Sequence, residues 1–393
     1  MTPTVELGAL VLPEAPICYG ILMPGADTEG GIPVVKIRDY DHNGIDVDKL
    51  LRAAPDIEAP YRRSRLEPGD ILMSIRGTTG VIAVVPPELL RANITQDTAR
   101  IRVDVTNRDY LYQALHAPYV RRQIRLHTIG QAVKGINIGA VRRLQIPWPP
   151  GPTRVLIARI LGDCDKRIRD VDRLIDAKRT FKRGLLQRLL TGQRRFPEFR
   201  ERPWAMHRFD TLCEEIPDRN GNRFGADSVM GVVKGVGFQR MRDRVRGKGD
   251  LTRYKVVPPG AFAYNPMRLN IGSIAYNDSK RAILVSPDYE VFRARPGIAA
   301  SDFVDQLRYS SYWQSFMKGA GAGSVRIRIY FPDLARLHVP TPELDEQKRI
   351  AEVLRLVDSE IDQIAQLHTL TESQKSGLLS RLLVGELSVP ASL

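Results

Sequence analysis

The nonapeptide GLLQRLLTG occupies residues 184–192, and a near copy, GLLSRLLVG, occupies residues 377–385. Each copy places two leucine pairs one helical turn apart and ends in glycine, which is typical of the last turns of a packed helix. The copies start 193 residues apart in a chain of 393 residues, so each one closes one half of the sequence. This spacing predicts a duplicated module, because solenoid repeats are only about 20–50 residues long.

The similarity between the halves continues upstream of the nonapeptides. LQIPWPP at 144–150 aligns with LHVPTPE at 337–343, and no gap is needed between about residue 130 and residue 192. Apolar residues then recur in steps of four and three, which is a heptad seam. The predicted seam residues are Ile157, Leu161, Cys164, Ile168 and Val171 in the first half and Ile350, Leu354, Val357, Ile361 and Ile364 in the second. Two such seams in one chain favour pairing of the two helices over packing of each helix on its own domain.

The ends of both long helices can be predicted. Thr341 and Pro342 suit an N-cap and the first helical position, and acidic residues follow, where the helix dipole favours negative charge. Gly192 and Gly385 suit the position after the last turn. Each helix should be about 40 residues and roughly 60 Å long. If a two-fold axis relates the helices, they run antiparallel.

The regions before the helices are rich in strands. Short apolar runs such as DILMSI, VIAVV and AFAYN alternate with Gly, Pro and Asn, and 110–127 and 302–318 are predicted to be helices. The expected fold class is α+β, with two β-rich mixed α/β domains joined by two long helices in an antiparallel coiled coil and an internal pseudo-two-fold repeat. The predicted boundaries are 1–150 for domain 1, 151–192 for helical spacer 1, 193–205 for a linker, 206–341 for domain 2, 342–385 for helical spacer 2 and 386–393 for a C-terminal tail.

The chain is strongly basic. It has 59 Lys and Arg residues against 45 Asp and Glu, a net charge of +14. Nucleic acid is the commonest acidic partner of such proteins. In the first half, the span between Asp109 and Asp163 has eight Lys and Arg residues, no acidic residue, and the glycine-marked turn 128–137. In the second half, basic residues lie in the glycine-containing stretches 239–255 and 319–330. Loops of this kind suit phosphate contact and base reading, although a single exposed charge is more often simply solvated.

Several other classes of protein are disfavoured. Cys18, Cys164 and Cys213 are scattered and have no CxxC spacing, which argues against a disulfide framework and a structural zinc site. The N-terminal stretch has no signal-peptide pattern, and no apolar stretch approaches the ~18–20 residues of a membrane span. We therefore expect a cytoplasmic protein.

No catalytic or metal-binding motif is convincing. A Walker A motif is absent, and NPMR at 265–268 lacks the second proline and the aromatic ring of the NPPY type of methyltransferase motif. A nuclease-like trace runs through Asp333, Glu346 and Lys348. However, Glu346 and Lys348 lie in the first turn of the predicted helix, where capping explains them. We therefore expect no catalytic residue and no metal site.

Six stretches carry a resemblance to a known family. They are PTPELDEQKRIAEVLRLVDSEID (340–362), LLSRLLVGEL (378–387), IPWPPGPTRVLIARILGDCDKRI (146–168), GLLQRLLTGQRRFP (184–197), PGDILMSIRGTTG (68–80) and GQAVKGINIGAVRRLQIP (130–147). The first two closely resemble conserved regions of the specificity (S) subunits of type I restriction–modification systems. The next two resemble such conserved regions more weakly. The last two resemble elements of the recognition domains of that family. The first helix departs from the family, because it has Gly-Pro-Thr-Arg where a Glu-Gln pair is usual.

The resemblance implies a non-catalytic subunit that reads a bipartite site in double-stranded DNA, one half per domain, with a spacer set by the paired helices. The helical regions would dock two modification (methyltransferase) subunits, which carry S-adenosylmethionine and methylate adenine N6 on flipped-out bases. Two restriction subunits that use ATP and Mg²⁺ could join them, and no cofactor is expected in this chain. The alternative is a DNA nuclease or a methyltransferase-fused DNA-binding enzyme.

Thirteen loop residues are the candidate DNA contacts. They are Lys36, Arg76, Thr78, Thr79, Gln131, Lys134 and Asn137 in the first domain and Lys234, Arg268, Asn270, Ser324, Arg326 and Arg328 in the second. Arginine and lysine could contact phosphate or guanine, and the amides could read adenine. Each of them could instead be an ordinary turn residue.

Overall fold

The computed structural model describes residues 2–41, 44–131, 133–240, 250–320 and 328–387. The chain forms two compact units. The first comprises Met1–Asp172 and Gln366–Leu393, and the second comprises Arg173–Ala365. Two 40-residue helices each contribute residues to both units. Among the described residues, no helix is long and apolar enough to cross a membrane.

The first unit contains short strands, short helices and part of the first long helix. The strands are β1 (Thr4–Glu6), β2 (Cys18–Tyr19), β3 (Ile32–Val35), β4 (Tyr40–Asp41), β5 (Gly44–Ile45), β6 (Leu51–Ala53), β7 (Ile71–Ser74), β8 (Ile82–Val84), β9 (Asn93–Ile94), β10 (Thr98–Ile101) and β11 (Gln145–Pro147). The helices are α1 (Leu7–Leu10), α2 (Pro55–Glu58), α3 (Val105–His116), α4 (Pro118–His127), α5 (Ile138–Arg142) and the long α6 (Gly151–Leu190).

The central sheet of the first unit has the order β2-β10-β7-β8, and its pairs are antiparallel. All four residues of β7 are buried. Because successive side chains of a strand point to opposite faces, Ile71 and Met73 join the core that contains α3, whereas Leu72 joins a second core beneath β3 and β8. Both faces of the sheet are therefore covered.

The second unit repeats this arrangement. Its strands are β12 (Ala205–Arg208), β13 (Cys213–Glu215), β14 (Met230–Val233), β15 (Gly237–Arg240), β16 (Lys255–Val257), β17 (Ala261–Tyr264), β18 (Ile274–Tyr276), β19 (Ile283–Val285), β20 (Glu290–Ala294) and β21 (His338–Thr341). Its helices are α7 (Phe209–Leu212), α8 (Ser301–Leu307), α9 (Ser311–Ala320), α10 (Phe331–Leu334) and the long α11 (Leu344–Leu383), which also enters the first unit.

The internal repeat is confirmed at the level of strand order. The sheet β13-β20-β17-β18 matches β2-β10-β7-β8, and the pair β12–β21 matches β1–β11. Single hydrogen bonds also correspond. Ile136 N–H donates to the Ile75 carbonyl at 2.9 Å, and Ile329 N–H donates to the Pro266 carbonyl at 3.0 Å.

The long helices are antiparallel in each unit. In the first unit, the Lys375 ammonium lies 2.5 Å from the Asp165 carboxylate, and His368 Nε2 lies 3.1 Å from the Asp172 carboxylate. The residue number rises along one helix as it falls along the other. Leucines near the end of α11, among them Leu382, complete the first-unit core beside the start of α6.

The second unit contains the corresponding helix pair. Lys182 Nζ lies 2.5 Å from the Asp358 carboxylate, and Lys178 Nζ lies 2.7 Å from that of Glu360. The leucines near the end of α6 pack with the start of α11, where Leu354 is fully buried. The predicted antiparallel helix pair is confirmed.

The predicted seam is not buried evenly. Ile157, Leu161, Ile350, Leu354 and Val357 are buried, and the first four of them belong to a domain core that also covers the helix. The other members of the seam are half-buried, because two helices alone leave one side of each seam open to water. They are Cys164, Ile168, Val171, Ile361 and Ile364.

Arg154 explains how the first long helix begins without the Glu-Gln pair. In α11, the Gln347 amide donates to the Pro342 carbonyl at 3.0 Å and accepts from Ala300 N–H at 2.9 Å. In α6, Arg154 occupies the corresponding position and donates to the Pro149 carbonyl at 2.6 Å. Its guanidinium also stacks 4.3 Å from the centroid of the Trp148 ring. The arginine therefore anchors the helix start as the glutamine does.

The N-cap predicted at Thr341 is wrong. Thr341 ends strand β21, and its buried hydroxyl donates to the Val339 carbonyl at 3.2 Å. The helix begins at Leu344, so Pro342 lies before its first turn. Pairing of β21 with β12 holds this segment extended and delays the helix by about half a turn.

Both single helices predicted in the domains are interrupted. Pro118 separates α3 from α4, because a proline disfavours helical geometry at the residue before it, and Ala117 is extended with ψ 141°. In the second unit α8 ends at Leu307 and α9 starts at Ser311. There the Ser310 hydroxyl donates to the Leu307 carbonyl at 2.7 Å and stabilises the break.

Replacing Leu354 by alanine should destabilise the protein by about 2–5 kcal/mol, because the side chain is fully buried and its loss leaves a cavity. Calorimetry of the full chain should show a lower unfolding temperature. Leu356→Ala is the matched control, since Leu356 is 61% exposed on the same helix and should change stability by no more than about 0.5 kcal/mol. Equal effects of the two substitutions would contradict the described packing.

Candidate DNA-contact surface

Two loops of the first unit meet beyond the end of β7. The loop that follows β7 contains Arg76 and Gly77, and the second loop spans 128–137. Gly77 N–H donates to the Lys134 carbonyl at 2.8 Å, and Arg76 forms a β-bridge with Gly135. Ile129 and Gly135 exchange hydrogen bonds of 2.9 and 2.8 Å, which close the second loop. We call these two segments the first-unit loops.

Glycine is required at the turn of the second of these loops. Gly130 has φ +121°, a conformation that side-chain-bearing residues rarely adopt. A Cβ atom there would lie 2.2 Å from the Val133 carbonyl oxygen. The backbone at Gly130 therefore lies closer to the Val133 carbonyl than a residue with a side chain would allow. This close approach sets the position of Lys134 on the loop.

The structure brings five of the predicted residues together on the first-unit loops. They are Arg76, Thr78, Thr79, Gln131 and Lys134. All of them are exposed except Thr79, whose hydroxyl lies 3.0 Å from that of Thr128. The sequence reasoning missed Gln96, whose amide accepts from Arg76 Nη1 at 2.8 Å and thereby orients that guanidinium. Gln96 lies between β9 and β10, and no local pattern marks it.

Two other predicted residues of the first unit lie elsewhere or have structural roles. The Asn137 side chain accepts from Ala140 N–H at 2.8 Å and so caps α5. Lys36 is half-buried after β3, where its backbone N–H donates to the Asp39 carboxylate at 2.8 Å. The cap accounts for Asn137 without a ligand, whereas the contact at Lys36 involves only its backbone.

In the second unit, Lys234 and Asn270 line one groove. Lys234 lies in the turn between β14 and β15. Its side chain lies beside Gly272, since its Cε would be 3.8 Å from a Cβ atom placed on that glycine. The groove has a volume of about 920 Å³ and includes the ring of Tyr309, which is 45% exposed. A cation, an amide and an aromatic ring in one groove can contact phosphate, a base edge and a base face.

A half-buried carboxylate, that of Asp305, also lines this groove. Burial raises the pKa of Asp305, although Arg308 lies 2.8 Å from it and opposes the shift. The Arg308 guanidinium also stacks 4.7 Å from the centroid of the Tyr309 ring. The ion pair and the stacking hold the ring at the groove edge.

Of the remaining predicted residues of the second unit, Arg268 and Arg328 are exposed. Arg328 precedes Ile329, whose N–H donates to the Pro266 carbonyl, so it lies near the turn that holds Arg268. Ser324 and Arg326 lie outside the described residues, and so does most of the basic run 239–255.

The nuclease-like trace does not form a site. Glu346 is 1% exposed, and its oxygens accept from Arg195 at 3.0 and 2.7 Å and from Trp204 Nε1 at 2.9 Å. The hydrogen bond to Glu346 raises the pKa of Arg195. Asp333 accepts from Tyr330 N–H at the start of α10. In the described ranges, no group of three His, Cys, Asp or Glu residues could hold a metal ion.

Comparison with known proteins gives a consistent result. The family model for the type I restriction modification DNA specificity domain matches residues 256–372. The EcoBI specificity subunit of Escherichia coli is 26% identical over 145 residues, which cover 36% of this chain and only 30% of that relative. The putative MjaX specificity subunit of Methanocaldococcus jannaschii is 24% identical over 383 residues, 91% of this chain and 88% of that relative. The chain is therefore similar to specificity subunits of type I restriction enzymes, over nearly its whole length in the case of the MjaX relative.

Two solved structures are similar to this chain over nearly its full length. One is the crystal structure of a type I restriction–modification S subunit from M. genitalium, with TM-score 0.55 and 14% identity, covering 97% of this chain and 99% of that chain. The other comes from a structural study of complex assembly and conformational transition in the type I R-M system. It has TM-score 0.57 and 18% identity and covers 98% and 100% of the two chains. At these identities the likeness concerns the fold.

Gly130→Ala should disrupt the first-unit loops, at a local cost of about 1–3 kcal/mol for the strained turn. Hydrogen exchange should become faster at the amides of Ile129 and Gly135, while the unfolding temperature changes little. Gly162→Ala is the control, because a Cβ there meets nothing within 4 Å and the site is helical. Unchanged protection at Ile129 would show that the turn tolerates a side chain.

Proposed function

We propose that this chain is the non-catalytic subunit that gives a type I restriction–modification complex its DNA sequence specificity. The observation that carries the proposal is the repeated unit, in which basic or polar residues surround the same end of the same four-stranded sheet. In the first unit this end holds Arg76 and Lys134, and in the second it holds Arg268 and Arg328. A fold that presents two equivalent loop surfaces suits a DNA site with two separate halves.

The exposed side chains suit two kinds of DNA contact. Lys134 and Lys234 are mobile single charges on glycine-containing turns, which is appropriate for phosphate. The Arg76 guanidinium is oriented by Gln96, and a fixed fork of this kind can bind guanine O6 and N7. Gln131 and Asn270 are exposed amides that could read adenine.

The long helices offer two equivalent docking positions for a partner. Leu174 on α6 and Leu367 on α11 occupy corresponding places in the repeat and are 45% and 53% exposed. Phe181, two turns beyond Leu174, is 57% exposed. Isolated exposed apolar residues are common, but corresponding ones on duplicated helices suit two copies of one partner. We assign these positions to two modification subunits.

The proposed division of chemistry follows from this assignment. S-adenosylmethionine and adenine methylation would belong to the modification subunits, and ATP and Mg²⁺ to restriction subunits where they are present. This chain would contribute sequence reading and assembly. No observation favours the nuclease or the methyltransferase fusion, since Glu346 is fully engaged by Arg195 and Trp204.

Lys134→Ala should weaken binding of the full chain to duplex DNA and should lower the slope of log affinity against log salt by about one. The reason is the loss of one phosphate contact. Fluorescence anisotropy at several salt concentrations measures both quantities. Arg122→Ala is the control, because Arg122 is exposed on α4 of the same unit, away from the first-unit loops. An identical salt slope for wild type and Lys134→Ala would remove this residue from the DNA surface.

Leu174→Asp and Leu367→Asp should each remove one modification subunit from the complex, and the double variant should remove both, because a charge is costly in an apolar interface. Native mass spectrometry of this chain mixed with a type I modification subunit counts the copies. Leu356→Asp is the control, since Leu356 is exposed and its counterpart on α6 is already Asp163. Full occupancy in the double variant would contradict the docking assignment.

A further inference from the structure

An arginine-lined cavity lies in the first unit, apart from the first-unit loops. It has a volume of about 810 Å³, and seven arginines but only two acidic residues, Glu14 and Glu67, line it. Strands β7 and β10 pair from Ile71–Ile101 at one end to Ser74–Thr98 at the other. The cavity lies beyond the Ile71–Ile101 end, where Glu67 and Arg102 line it. The loop that follows β7 leaves the opposite end of this pair. The cavity is therefore a separate feature of the unit.

Two of the seven arginines are neutralised within the fold. The Arg65 guanidinium donates to both oxygens of Glu58 at 2.7 and 2.6 Å. Arg102 donates to both oxygens of Asp70 at 2.6 and 2.7 Å and to Glu67 at 2.6 Å. The hydrogen bond from Arg65 lowers the pKa of Glu58, which favours the ionised pair. Arg65 and Arg102 are therefore held in the cavity lining by carboxylates of the same unit.

Arg100 is the unusual member of the set. Its side chain is 2% exposed, yet no carboxylate pairs with it among the described residues. One nitrogen, Nη2, donates to the Pro16 carbonyl at 3.0 Å and contacts Cys18 Sγ at 3.6 Å, whereas Nε has no partner. A buried charge without a counter-ion is costly. An anion in the cavity would supply the missing counter-charge.

Four further arginines add uncompensated charge. Arg62, Arg63, Arg91 and Arg142 line the cavity, are exposed and have no ion pair among the described residues. Arg142 is held in place by donating to the Ile17 carbonyl at 3.0 Å. Arg91 adopts a left-handed conformation with φ +66°, which glycine would adopt without strain. An arginine nevertheless occupies this position and lines the cavity.

We propose that this cavity binds a phosphate group. Guanidinium forks match phosphate oxygens in pairs, and several converging arginines suit an anion with three or four acceptor oxygens better than a single carboxylate. The group could come from the DNA backbone or from a free phosphorylated compound, for which the volume is sufficient. The inference does not rest on the proposed function, because a phosphate titration needs no DNA.

The test uses the full chain and titrates inorganic phosphate and pyrophosphate by calorimetry at constant ionic strength. The test variant is Arg63→Ala with Arg91→Gly, in which glycine preserves the left-handed backbone. Arg122→Ala is the control, and Arg100→Met probes the buried charge separately. We expect wild type and the control to bind the anion and the double variant to bind at least about tenfold more weakly, since hydrogen bonds to charged groups are being lost.

Salt-dependent binding to a mixed-sequence duplex distinguishes the two sources. A salt slope lowered by about two in the double variant, relative to Arg122→Ala, assigns the phosphate to the DNA backbone. An unchanged slope together with weakened anion binding assigns it to a free compound. Unchanged anion binding and slope in the double variant, or an equal loss in Arg122→Ala, overturns the proposal. If wild type binds no duplex at all, the proposed function fails while the phosphate titration still decides the cavity.

Discussion

The register of the two long helices rests on one ion pair that occurs twice. Asp165 with Lys375 and Asp358 with Lys182 are the same pair in the two halves of the repeat, each 2.5 Å long. An isolated, partly buried ion pair is weak evidence for stability, because desolvation offsets much of the attraction. However, a shift by one heptad would separate both pairs at once, so they specify register, while the leucines packed on either side supply the hydrophobic energy. The composition of both cores depends on that register.

The helical part of this fold was predictable because its signals are local and periodic. The repeated nonapeptides, the heptad seam and the closing glycines led to two antiparallel helices. Strand order and the breaks within the domain helices were harder to predict. The role of Glu346 shows why, since the sequence explained this carboxylate only by its place in the first turn of a helix. The structure instead buries it against Arg195 and Trp204, which are 151 and 142 residues away in sequence.

The same contrast holds for the candidate site. Glycine turns and local charge identified Arg76 and Lys134, which the structure places side by side through backbone hydrogen bonds. Local reasoning could not tell that Asn137 caps a helix, nor that Gln96 orients Arg76. The arginine cavity draws on residues spread from 14 to 142, so only the paired strands bring its members together.

The first unit is discontinuous in sequence, and this determines the order in which the protein can fold during synthesis. Residues 173–365 form the whole second unit, whereas the first unit also needs the segment after Gln366. Leu379, Leu382 and Leu383 of that segment are part of the first-unit core. On the ribosome, the second unit can therefore finish first, while the start of α6 waits with an apolar face uncovered. A chaperone that binds such faces would meet the nascent chain during that interval.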